Sequence, residues 1–165
     1  MPLSLRAPTW QDIPNMHAIG IDPIACELAG VKPRTREVFE ARMREVFADP
    51  NIFIRVIELS PSPTAAAQFV GSISVFQAPA EGETTPRDNI GYWLAREYWG
   101  KGLASEAVRT FLTLEPRRPL FATAAKSNTA SCRILAKQGF QLLRTFQGTE
   151  TDRYLAREVT EWKLG

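Results

Sequence analysis

Gly100 and Gly102 are the residues with the clearest chemical meaning, because they stand where the aromatic, strand-like run Tyr92-Trp93-Leu94-Ala95 passes into an amphipathic helix beginning near Leu103. Without side chains at these two positions, the first free N–H groups of the helix can converge on a phosphate. The implied chemistry is main-chain binding of a phosphorylated cofactor. Spacing excludes two common phosphate fingerprints. A dinucleotide site requires G-x-G-x-x-G and an acidic residue about 20 positions on, where this chain has Ser105 and Ala122. A nucleotide-triphosphate loop requires G-x-x-x-x-G-K-S/T, whereas here Lys101 lies between the glycines and Leu103 follows the second.

Few other residues offer catalytic chemistry by type. The single histidine, His17, supports neither a zinc site nor a histidine-based triad, and reads as a packing or surface residue of the first helix. Cys26 and Cys132 share no metal-ligand spacing, so free thiols are expected and no metal site. Asn128 and Ser131 open a helical segment, where either can serve as a cap. Glu150 and Asp152 lie between two late strand-like runs and read equally as a charged hairpin. Trp93, Tyr98 and Trp99 fit core positions or the walls of an acceptor pocket.

The run from Gly91 to Ala107 resembles the R/Q-x-x-G-x-G/A pyrophosphate loop of the GNAT superfamily of acyl-CoA N-acyltransferases. It is closest to the RimJ/RimL-like branch, whose members read G-Y-W-L, then Y-W-G-K-G, then E-A. A second segment, Asn128 to Phe140, resembles that branch's N-x-x-S-x-R-x-L-x-K-x-G-F. With Leu3-Ser4-Leu5-Arg6, Asp12 and Glu161-Trp162 resembling the family's ends, the likeness spans essentially the whole chain.

This resemblance implies one GNAT-like domain over residues 1–165. It also implies acetyl-CoA as acyl donor and an amine as acceptor, a peptide or protein N-terminus for this branch. Leu94 and Ala95 would hold the donor's pantetheine arm, and N–H groups from Trp99 through Gly100, Lys101, Gly102 and Leu103 to Ala104 its pyrophosphate, with Lys101 offering a further charge. Asn128 would hold the arm or the helix start, and Ser131 would hydrogen-bond the leaving sulfur. Glu150, nineteen residues after Ser131, takes the place of the catalytic carboxylate, with Asp152 in reserve. The chain departs from the superfamily at Glu97, where R or Q is usual, at Leu135, where many members carry a tyrosine acid, and at Phe121, where some carry a glutamate. The alternatives are a small-molecule acetyltransferase acting on an amino acid, polyamine or antibiotic, and a non-catalytic acyl-CoA-binding module; a homodimer stays open.

Bulk properties bound the remaining choices. A length of 165 residues is ordinary for one domain, and 44% hydrophobic with 23% charged residues are globular values. No apolar stretch approaches the roughly 20 residues that span a bilayer. The start lacks a basic region followed by an apolar core, so a soluble, cytoplasmic protein is expected. A net charge of +2, with Arg117-Arg118 the sole adjacent basic pair, is too weak for a nucleic-acid partner.

The elements that must position these residues alternate along the chain. Residues 3 to 7 read as a strand, followed by a helix capped at Thr9 or Asp12 and fading near Gly20. Thr35 caps a second helix whose Phe39, Met43, Val46 and Phe47 form a core stripe. Runs 51–59 and 68–77 read as antiparallel neighbours, followed by a loop at 78–88 and a strand at 90–95. The helix from Leu103 places Ala107, Val108, Phe111 and Leu114 along one side before Pro116. A strand at 120–125, a helix from Thr129 to Gly139, and closing strands at 140–147 and 153–163 complete the chain. The strand–helix–strand–helix unit at 90–138 implies parallel pairing within it. The expected fold class is therefore mixed α/β, a mostly antiparallel sheet with a parallel pair in the middle and helices on both faces, as the resemblance also implies.

Overall fold

The computed structural model describes residues 2–165. Its elements run β1 (Leu3–Arg6), α1 (Ile13–Gly20), α2 (Pro23–Ala29), α3 (Arg36–Ala48), β2 (Phe53–Leu59), β3 (Gln68–Pro79), β4 (Pro86–Leu94), α4 (Leu103–Leu114), β5 (Leu120–Ala125), α5 (Thr129–Lys137), β6 (Gln141–Gln147) and β7 (Glu158–Leu164). The seven strands form one sheet in the order β1-β2-β3-β4-β5-β7-β6. β4 and β5 are parallel and every other neighbouring pair is antiparallel.

Alternating side chains give the sheet two covered faces. On one, the α4 stripe Leu103, Ala107, Val108 and Phe111 is buried among Ile90, Leu94, Leu120 and Ala122, and the Phe53 and Phe111 rings lie 5.3 Å apart. On the other, Ile13 and Met16 of α1 and Met43 and Val46 of α3 pack with Ile54 and Phe69. Phe53 and Ile54 are successive residues of β2, so α4 and the α1/α3 pair cover opposite faces.

Several elements differ from the sequence expectation. α2 is a helix the periodicity does not announce, yet its ends carry ordinary signals. The Asp22 carboxylate accepts from Ile24 N–H at 2.9 Å, Pro23 occupies the first turn, and Gly30 closes it at φ 70. β4 starts at Pro86 rather than 90, because its pairing with β3 runs down to Pro79 opposite Pro86. Leu114 is 49% exposed, since Phe111 already completes the buried stripe one turn earlier. β7 starts at Glu158 rather than 153. Before it, the Thr151 hydroxyl accepts from the N–H groups of Arg153 and Tyr154 and turns the chain.

The parallel pair matters most for function. β4 and β5 share a single register pair, Asn89 with Phe121, and part beyond it. Their joined end is fastened by side chains. The Asn89 amide donates to Ala78 O at 3.0 Å and Arg87 O at 2.8 Å, and the Arg87 guanidinium lies 3.9 Å over the Phe121 ring while donating to the buried Glu161 at 3.0 Å. At the open end the chain of β4 crowds β3, with the Trp93 carbonyl directed at Gly71. A Cβ on Gly71 would overlap that oxygen.

Gly71→Ala should therefore cost about 3 kcal/mol or more, because the atom it would displace is backbone. Gly20→Ala, whose Cβ meets nothing within 4 Å, should be neutral or stabilise by about 0.5–1 kcal/mol. Denaturant unfolding of the two variants measures this, and equal midpoints would remove the close approach from the account.

Candidate active site

The glycine turn into α4, a cradle of N–H groups, follows directly on the end of β4 and so adjoins the wedge left where β4 and β5 part. Gly100 and Gly102 adopt φ of 73° and 76°, and a Cβ on either would point into open space. Gly102 is the N-cap of α4 and has no side chain to cap it. The first helical bond runs from Glu106 N–H to Gly102 O at 3.1 Å. None of the six successive N–H groups from Gly100 to Ser105 donates to an acceptor among the described residues. They form an electropositive helix start suited to a phosphate.

The groups placed here by sequence occupy distinct positions. Leu103 and Ala104 supply two of the free N–H groups. The Trp99 N–H is engaged by Arg96 O at 3.1 Å, and its indole donates instead to Leu94 O at 3.0 Å. Ala95 donates to Val70 O and accepts from Tyr98 N–H, both at 2.9 Å, so its main chain is engaged within the protein. The Trp93 carbonyl and the Ala95 N–H face β3. By the alternation of strand groups, those of Tyr92 and Leu94 face the gap toward β5. Lys101 is exposed, its ammonium 5.7 Å from the Tyr98 ring centroid. Glu97 is also exposed.

Across the gap stands the start of α5. Asn128 caps it, its carbonyl oxygen Oδ1 accepting from Ser131 N–H at 3.2 Å. The Ser131 hydroxyl lies 2.8 Å from the Tyr92 hydroxyl, so this pair of oxygens joins the two walls of the wedge. Burial pushes the Tyr92 phenol up to about 12, the bond to Ser131 only partly offsetting it. Tyr92 went unassigned in the sequence reading. The available signal was its place in the G-Y-W-L run two residues from Leu94, one period of a strand.

Other candidates lie elsewhere. Glu150 sits in the β6–β7 connection with its side chain 64% exposed, 3.8 Å from the Lys32 ammonium, and Asp152 is exposed beside it. The structure shows no contact of either with Ser131. His17 donates to the Arg34 carbonyl at 2.9 Å, and Cys26 is buried with its thiol donating to Gly20 O. Glu161, the acidic residue buried most deeply on the wedge's β7 flank, is 4% exposed. Burial would raise its pKa, but Arg144 and Arg87 outweigh that and hold it below the usual carboxylate value. Among the described residues no three His, Cys, Asp or Glu side chains gather as a metal site, and no helix is long and apolar enough to cross a membrane.

A strand pair parted beside a helix start with six free donors has the shape and polarity to take a long ligand with a phosphate at one end. The family model for the acetyltransferase (GNAT) domain matches residues 3–141, and the chain belongs to that family. Three solved structures share its fold. The spermidine N-acetyltransferase of Vibrio cholerae, solved with CoA and spermine, superposes with a TM-score of 0.78 at 15% identity, covering 98% of this chain and 94% of that one. The Salmonella typhimurium acetyltransferase that modifies the N-terminal serine of ribosomal protein L7/L12 gives 0.74 at 18%, covering 98% and 94%. A RimL ribosomal L7/L12 alpha-N-protein acetyltransferase in complex with coenzyme A gives 0.72 at 17%, covering 98% and 93%. No curated protein matches the chain.

The raised Tyr92 pKa has a consequence for stability. Its phenol ionises near 10 when unfolded and at about 12 when folded, so the folded state holds this proton more tightly. The associated stability is intact below about pH 10 and is lost as pH rises toward about 12, by on the order of 2 to 3 kcal/mol. Tyr92→Phe should lack this component. Unfolding midpoints of parent and variant measured across that alkaline range should converge, and parallel curves would contradict the burial of this phenol.

Proposed function

We propose that the protein is an acetyl-CoA-dependent N-acetyltransferase, with residues 1–165 working as one catalytic domain, that transfers an acetyl group directly to a primary amine, a peptide or protein N-terminal α-amine. The observation that carries this reading is the continuity of the free N–H run at 100–105 with the gap between β4 and β5, at which the Tyr92 and Ser131 hydroxyls meet. The N-terminal serine and polyamine acceptors of the fold's neighbours support the amine as the group acetylated.

The donor supplies an activated acetyl thioester. The chain's part begins with orientation. Main-chain groups of Tyr92 and the Leu94 N–H offer strand-like pairing to an amide-bearing arm, the Leu94 carbonyl being taken by the Trp99 indole, and the N–H groups of Gly100 to Ser105 take the pyrophosphate. Each helix-end charge interaction is worth only about 0.3 to 1 kcal/mol when exposed, so several donors must act together. Asn128 fixes the first turn of α5 and thereby the direction of the Ser131 hydroxyl.

Magnitudes decide the role of the two hydroxyls. A thiol ionises near 8.5 and Tyr92 at about 12. Outright proton transfer from Tyr92 to a thiolate would be uphill by on the order of 5 kcal/mol. Ser131 and Tyr92 therefore stabilise the leaving sulfur by hydrogen bonds, and the proton it finally carries comes from the attacking amine.

The acceptor must arrive neutral. At pH 7 an α-amine of pKa about 7.7 to 8.0 is roughly 10 to 15% neutral, and a lysine near 10.4 about once in 2,500 molecules. An exposed carboxylate acting through water serves the first far better than the second. Glu150, on the connection that borders α2, is the proposed relay.

Gly102→Val places a β-branched residue at φ 76°, which strains the fold by about 1 to 2 kcal/mol and puts methyl groups into the cradle. Calorimetry of the folded variant should show acetyl-CoA affinity reduced at least about tenfold, a loss of about 1.4 kcal/mol. Unchanged affinity would remove the cradle from cofactor binding.

Single-turnover transfer rates followed against pH separate the two chemical roles. Ser131→Ala should lower the rate about tenfold to a hundredfold at every pH while leaving donor affinity within a few-fold, the scale of one hydrogen bond to a charged group. Glu150→Gln should show a defect that shrinks as pH passes the amine's own pKa. A parental rate for the first would leave Ser131 only its place in the helix start, and a constant offset for the second would exclude Glu150 as the proton relay.

A further inference from the structure

α2 lies across the mouth of the wedge. Its capping Asp22 pairs with Arg96, just past β4, at 3.0 Å, and a Cβ on Gly30 at its other end would meet Ala125 of β5 at 3.9 Å. The chain leaving α2 joins the β6–β7 connection there. Lys32 N–H donates to Arg153 O at 2.7 Å, Leu155 N–H donates to Gly30 O at 2.9 Å, and Val31 and Tyr154 form an antiparallel bridge.

Two guanidiniums gather at this junction without a carboxylate. Arg153 donates from Nη1 to Lys32 O at 2.6 Å, and its other N–H groups have no partner among the described residues; the Arg34 side chain has none at all. None of these unpartnered nitrogens is sealed from solvent. Three other part-buried arginines hold carboxylates, Arg87 pairing with Glu161, Arg117 with Glu115 and Arg157 with Glu27, and Arg55 lies over the Phe53 ring instead. Burial and the charge of Arg34 hold Arg153 below its usual pKa, and burial and the charge of Arg42 do the same for Arg34. The groups near them are the Tyr154 phenol and the buried Cys26 thiol. The nearest ion pair on this connection, Lys32 with Glu150, is exposed and uses neither arginine.

We propose that Arg34 and Arg153 form a carboxylate subsite for the acceptor, so that the amine is delivered on a peptide whose residues just after the N-terminus are acidic. The proposal rests on the acetyltransferase reading above and narrows its substrate class. The junction that carries both arginines lies at the Gly30 end of α2, beside Ala125 at the end of β5, and a guanidinium offers a carboxylate two parallel donors. A polycation such as a polyamine would be repelled from the same place.

The test uses the full chain with CoA present and two short peptides of identical first residue, one with aspartates and one with lysines at the second and third positions. Calorimetry reads binding, and mass change with acetyl-CoA reads transfer. The acidic peptide should bind the parent at least about tenfold more tightly than the basic one, the scale of one charge-assisted hydrogen bond. Arg34→Gln should abolish that preference, while Arg34→Lys should keep part of it. Because Arg153 also holds the Lys32 carbonyl, Arg34 is the safer first substitution, and circular dichroism verifies its fold. Equal affinity of the parent for both peptides, or an intact preference in Arg34→Gln, overturns the subsite. Transfer to both peptides at equal rates overturns it while leaving the acetyltransferase reading standing. Selective binding of the acidic peptide without transfer supports the subsite and instead removes that reading.

Discussion

β4 and β5 touch at one register pair and then separate, and the Tyr92 and Ser131 hydroxyls meet where the strands no longer touch. An opened sheet leaves main-chain donors and acceptors without partners, which is costly unless water or a ligand supplies them. The fold tolerates the gap because it is held from both ends. At the joined end, Arg87 covers the Phe121 ring and reaches the buried Glu161, which Arg144 of β6 also contacts. At the open end, α2 spans the two strands and the Trp99 indole occupies the Leu94 carbonyl. Two structurally separate fastenings therefore set one angle, and the gap is a built feature rather than a frayed edge.

Three groups of polar atoms border the gap. The free N–H groups at the start of α4 lie at one end of the gap, the paired hydroxyls of Tyr92 and Ser131 cross it, and the α2 junction with its unpaired guanidiniums borders its mouth. α4 and the α1/α3 pair cover opposite faces of the sheet. Cys132 lies beside Ser131 in sequence, but its thiol is directed to Thr160 and Ala125, away from the hydroxyl pair.

Much of this was legible in the residues. Gly100 and Gly102 announce the turn into α4, where both adopt positive φ, and the α4 stripe from Leu103 to Phe111 announces the face that packs on the sheet. Asn128 was legible as a cap because its side chain acts within its own turn. What escaped depends on contacts far apart in sequence. The Tyr92–Ser131 bond joins residues 39 apart, and nothing local to either predicts it. The engagement of Ala95 with Val70 depends on the register of β3. α2 was missed because seven residues hold too few turns for a periodic stripe, although Asp22, Pro23 and Gly30 mark its ends.

A crystal structure of the protein with coenzyme A would measure the central claim most directly. The arm should lie in the gap between β4 and β5, with its amides paired to main-chain groups of Tyr92 and to the Leu94 N–H, its pyrophosphate on the N–H groups of Gly100 to Ser105, and its sulfur within hydrogen-bonding distance of the Ser131 hydroxyl. Coenzyme A bound elsewhere, or the two strands closed against each other with the ligand lying outside them, would contradict it.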